Sequence, residues 1–109
     1  MIRLVQAGEE SKLTGTSIYI GKTTAERKGN PLADNFLACW SKKGSLGDAY
    51  VHWLGQIWQD PDIDPEAHRA LKDIEDLWPE DINLVSEFPP SVSHGRFIKQ
   101  HVEAINNDD

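Results

Sequence analysis

The sequence predicts an α/β domain: a short, mostly parallel sheet covered by about three helices. Three observations carry this. Three apolar runs of strand length stand at residues 2–6, 17–20 and 82–86. Two amphipathic helical stretches separate the second run from the third, which is the long crossover a parallel pairing requires. A further helical stretch follows the last run, so strands and helices form the packed layers of a single core.

The elements follow in order. Ile2-Arg3-Leu4-Val5-Gln6 alternates loosely and reads as the first strand, and Gly8-Glu9-Glu10-Ser11 turns the chain. Ser17-Ile18-Tyr19-Ile20 is the second strand, ended by Gly21. No period is sustained from Lys22 to Gly44, apart from one short helical turn expected near residues 33–40. Loops this long are uncommon in compact domains and are usually functional or mobile. Ser45-Leu46-Gly47-Asp48 has the form of a capping box. The helix it opens carries Leu46, Ala49, Tyr50, Trp53, Leu54, Ile57 and Trp58 at helical spacing. Asp64 caps the next helix with Pro65 in its first turn, and Ala67, Ala70, Leu71, Ile74, Leu77 and Trp78 form the inner face. Pro79 stops it. Ile82-Asn83-Leu84-Val85-Ser86 is the third strand, and Ser93 caps a last helix with Phe97, Ile98, His101, Val102 and Ile105 on one side.

A chain of 109 residues suits one domain, placed at residues 1–105, with 106–109 as a flexible acidic tail. Apolar residues at 39%, including four tryptophans, supply a core that buries roughly two-thirds of the unfolded surface. The net charge of −7 argues against general nucleic-acid binding, which needs a basic face. It leaves room for a small anion held by a few local cations, or for docking on a basic protein. The single cysteine, Cys39, forms no internal disulfide, so a reduced, cytoplasmic setting is expected. No apolar run approaches the ~20 residues of a membrane span, and MIRLVQAGEE has no apolar export core.

Two segments carry candidate chemistry. The first is the loop after the second strand, with Gly21, Lys22, Arg27, Lys28, Gly29, Asn30 and Pro31. Ligands of open α/β sheets sit beyond the carboxyl ends of strands, glycine lets backbone approach a phosphate, and lysine neutralises it. The plainer reading is a turn with solvated cations. The second is Ser93-His94-Gly95, at the start of the last helix, where free amides and a partial positive charge suit an anion. The plainer reading there is a serine cap beside an exposed histidine. If the two strands are neighbours, both loops meet at one sheet end as a shared anion pocket, with Tyr19 or Trp40 placed to stack on a base. The run Asp60, Asp62, Asp64, Glu66 lacks the central glycine and closing glutamate of a calcium loop, and no metal or other cofactor is expected.

Tyr19-Ile20-Gly21-Lys22, Gly29-Asn30-Pro31-Leu32, Tyr50-Val51-His52-Trp53-Leu54, and Leu84-Val85 with Pro89 and Ser93-His94-Gly95 resemble, in order and spacing, the domain-of-unknown-function family 4326. The resemblance spans residues 2–105 and implies a Rossmann-like domain, related to proteins that bind nucleotides or their derivatives, from bacteria or phage. It implies a pocket at Gly21, Lys22, Gly29, Asn30, Pro31, His94 and Gly95. The family's cysteines are replaced here by Ser86, Phe88 and Ser93, which removes thiol chemistry at those positions. The expectation is therefore a protein binding a phosphate-bearing small molecule, a nucleotide or nucleotide derivative. Glycosidic- or phosphate-bond chemistry would need an acid or base, with His94 and Asp48 as candidates. The alternative is a non-enzymatic acidic protein that binds a basic protein partner, or a homodimer.

Overall fold

The computed structural model describes residues 1–33, 46–87 and 93–107. Strands β1 (Ile2–Gln6), β2 (Thr16–Tyr19) and β3 (Ile82–Ser86) form one sheet in the order β1-β3-β2, with both pairings parallel. This is the architecture of a small Rossmann-like α/β domain. Helices α1 (Leu46–Gln59) and α2 (Pro65–Asp76) carry the chain from β2 to β3, and α3 (Gly95–Asn107) follows β3. The β1–β2 connection contains a single 3-10 turn at Glu10–Lys12. Residues 31–33 are helical, and the rest of the expected turn at 33–40 lies outside the described residues, as do Cys39, Trp40 and the Ser45 cap.

The central position of β3 explains its composition. Every residue from Ile82 to Ser86 is buried, the pattern of a parallel strand covered on both faces. Asn83 is the polar member of that run and sits level with Arg3 of β1 and Ser17 of β2. Its amide nitrogen donates to the Thr14 carbonyl (3.0 Å) and the Ser17 hydroxyl (3.3 Å), while its oxygen accepts from Arg3 Nη1 (3.3 Å). One buried side chain thus ties both edge strands to the centre. The edge strand β2 runs from Thr16 to Tyr19, one residue earlier than its apolar pattern, yet the Ile20 amide still donates to the Val85 carbonyl at 2.8 Å.

The core is the inner faces of the helices against the sheet. Tyr50, Leu54 and Ile57 of α1, Ala67, Leu71 and Ile74 of α2, and Ile98 and Val102 of α3 pack with Ile2, Ile20, Ile82 and Leu84. Ala49, expected on the inner face of α1, is exposed. The α2 cap forms as expected: the Asp64 carboxylate accepts from the Ala67 amide at 3.2 Å, with Pro65 opening the helix. Asp60 likewise serves the backbone, accepting from the Asp62 amide at 3.1 Å. Helix α3 runs past the expected limit at residue 105, because Asn106 is tied down: its amide nitrogen donates to Glu75 of α2 at 2.9 Å and to the Val102 carbonyl at 2.8 Å. Among the described residues no helix is long and apolar enough to cross a membrane.

Candidate functional site

Gly21 to Asn30 form a closed loop at the carboxyl end of β2, of the size and closure of an Ω-loop. The Asn30 amide donates to the Gly21 carbonyl at 2.9 Å, and the Asn30 side chain donates to the Tyr19 carbonyl at 3.3 Å. The Asn30 side-chain oxygen accepts from the Leu32 amide at 2.9 Å. Asn30 therefore spends its amide on holding the loop. Gly29 has its own steric reason: a Cβ there would collide with the backbone of Lys22 and Thr23. The Gly29 amide donates to the Thr23 hydroxyl oxygen at 2.9 Å, leaving the Thr23 O–H as a donor.

The cations around this strand end divide into two sets. Lys12 pairs with Glu9 (3.2 Å) and Arg27 with Glu10. That pair, a hydrogen bond first of all, holds the Glu10 carboxyl below its ordinary range and raises the Arg27 guanidinium. Arg27 also lies 5.2 Å from the centre of the Tyr19 ring, which covers that face against a stacking base. The Tyr19 hydroxyl donates to the Lys22 carbonyl at 2.9 Å, with Glu87 as a second acceptor at 3.3 Å. Burial, then the Glu87 charge, raises its pKa. Lys22 and Lys28 form no ion pair among the described residues.

A cavity of 390 Å³ opens where this loop meets α2. Thr23, Lys28, Gly29, Asn30 and Pro31 form its loop wall. Glu66 and Arg69, an i,i+3 pair at the start of α2, form the other. Among the described residues none of the Lys28, Glu66 and Arg69 side chains forms an ion pair or hydrogen bond. Lys28, Gly29, Asn30 and Pro31 are thus brought together as the sequence reading proposes. Thr23 and Arg69 were not singled out by it, and Glu66 entered it only as the last acid of a run set aside as a calcium loop. The two α2 residues sit on the polar face of an ordinary amphipathic helix, and only the crossover brings that face to the loop.

Ser93, His94 and Gly95 take a different place. They do not line this cavity. His94 is buried, at 1% exposure, rather than open to an anion. Its Nε2–H donates to the Ile20 carbonyl at 2.7 Å, which assigns the proton to Nε2 because a carbonyl only accepts. Burial pushes the imidazole pKa below its ordinary value, and the Ile20 hydrogen bond opposes this in part. The Ser93 hydroxyl oxygen accepts from the Gly95 amide at 3.0 Å and lies 3.2 Å from the Ser86 hydroxyl. Gly95 packs so close that an added Cβ would lie 2.9 Å from Ile20 and 3.0 Å from Leu4. The two segments after β2 and β3 do meet, but through packing and the buried hydrogen bond from His94 to Ile20. Gly21 and Lys22 open the loop without lining the cavity. Of the acid–base candidates, the Asp48 side chain lies outside the described residues.

Among the described residues no group of three or more His, Cys, Asp or Glu side chains is placed to hold a metal ion. No protein-family model matches the chain, and neither a curated protein nor a solved structure matches it. The resemblance to family 4326 therefore rests on its motifs alone.

Proposed function

We propose that this protein binds a phosphate-bearing small molecule, a nucleotide or nucleotide derivative, in the cavity between the β2 loop and α2. One observation carries the reading: two cations without a carboxylate partner among the described residues, Lys28 and Arg69, border one concavity in a chain of net charge −7. Cations that border one space repel, and an anion between them removes that repulsion. The Thr23 hydroxyl adds a neutral donor on the loop side. The volume stands near the lower end of the ~300–1,000 Å³ range of small-molecule sites, which suits a mononucleotide better than a dinucleotide. The function is binding, in a cytoplasmic setting, and membership of family 4326 is proposed on the same loop motif.

Thermal melts against nucleotides and ADP-ribose-like compounds test it. A ligand at a hundred times its dissociation constant adds about 2.7 kcal/mol of stability. Lys28→Ala and Arg69→Ala should each remove most of the ligand-induced rise while leaving the unliganded melting point nearly unchanged, since both side chains are exposed. A full panel without any shift, with a basic protein retained on the purified chain, would favour the interaction-protein alternative.

A further inference from the structure

The cavity has a carboxylate among its walls, and a pure phosphate receptor has no use for one. Glu66 borders the same space as Lys28 and Arg69, yet it pairs with neither, although the i,i+3 spacing puts Glu66 and Arg69 on neighbouring positions of α2. An exposed glutamate at the second residue of a helix has an ordinary role in complementing the helix dipole. That role does not require a cavity in front of it. A carboxylate bordering an anion site repels a bare anion and accepts hydrogen bonds from hydroxyl groups. Acidic side chains take the ribose hydroxyl in dinucleotide-binding folds for this reason.

Resting on the anion-site reading above, we infer that Glu66 is the specificity-determining residue of the cavity and that the ligand is a phosphorylated sugar with a free vicinal diol. The phosphate lies between Lys28 and the Thr23 hydroxyl on the loop wall and Arg69 on the α2 wall. The diol donates to Glu66. The combination discriminates against inorganic phosphate, which offers the carboxylate a like charge, and against sugars without phosphate, which leave both cations unmatched.

Calorimetric titration of the full chain with ribose 5-phosphate and with inorganic phosphate decides this. The wild-type protein should bind ribose 5-phosphate at least about tenfold more tightly, the effect of one hydrogen bond to a charged group. In Glu66→Gln the preference should fall to within about threefold, with inorganic phosphate bound as well as before or better, because a repelling charge is gone. The Gln side chain keeps the length and the exposed position, and circular dichroism checks that α2 is intact. A preference unchanged in Glu66→Gln, or both ligands weakened equally, overturns the role of Glu66 while the anion site stands. Silence of both probes in the wild-type protein overturns the site and this inference together.

Discussion

Asn83 shows how much one residue can decide in a three-stranded sheet. It is fully buried and satisfied on both sides, by Arg3 of β1 and by Thr14 and Ser17 beside β2. Asn83→Ala should lower stability by about 1–3 kcal/mol, because it removes a fully buried amide and the three hydrogen bonds it makes to the two edge strands. Urea unfolding measures this as a lower midpoint at unchanged slope. A loss below about 1 kcal/mol would mean that water replaces the amide and that the edge strands do not depend on it. At this scale the sequence was only partly legible. Lys28, Asn30 and Pro31 could be read as site residues because glycine, cation and proline cluster locally after a strand. His94 read as a ligand donor because a histidine beside a glycine at a helix start looks open. It is instead a buried donor to Ile20, and nothing in the local sequence reports a partner 74 positions away.

The connections set the register of the elements, and two glycines test how. Gly8 and Gly15 both have positive φ, at 100° and 96°. A Cβ at Gly8 would meet nothing within 4 Å, whereas one at Gly15 would lie 2.6 Å from the Asp81 carbonyl oxygen. That same oxygen accepts the Thr16 amide at 3.0 Å, just outside the end of the β2–β3 ladder. Gly8→Ala should therefore cost about 1–2 kcal/mol, the backbone strain alone. Gly15→Ala should cost clearly more, about 3 kcal/mol or above, since the Asp81 backbone just before β3 must give way. Equal losses in thermal unfolding would show that the approach of Gly15 to Asp81 is not a constraint. The strands and helices themselves were legible because each repeats its period over several residues. The 3-10 turn at Glu10–Lys12 was not, since a single turn has no period to detect. The cavity was half legible for the same reason: its loop wall announces itself by composition, and its helix wall exists only after α2 has packed.

The molecule as a whole should respond to pH through its histidines before its carboxylates. His94 and His101 both have pKa values lowered from the ordinary 6.5, in each case chiefly by burial. His94 lies under the Tyr50 ring edge at 6.1 Å and His101 under Trp58 at 5.8 Å, so a protonated imidazole is poorly solvated in either place. The unfolded chain takes up protons near pH 6.5, and the folded chain does so only at lower pH. Between those values the unfolded state holds more protons, so stability rises with pH there. It is fully present above about pH 6.5 and declines as pH falls below that, by at most about 1.4 kcal/mol per pH unit for His94. His101 acts in the same direction, since burial alone lowers its pKa. Glu10 acts in a separate window, since its depressed pKa confines its loss to below the ordinary 4.5. The net charge of −7 works in the opposite direction, because acidification toward the isoelectric point near 4.9 relieves self-repulsion. Salt separates the two: at about 0.5 M ionic strength surface repulsion is screened and buried imidazoles are not. Melting temperatures taken there should hold from pH 7.5 to about 6.5 and fall from there to pH 5. His94→Gln should flatten that slope, as its amide nitrogen can still donate to the Ile20 carbonyl but does not titrate. A variant with the wild-type slope would place the proton-linked loss elsewhere and remove His94 as the group that makes this fold acid-sensitive.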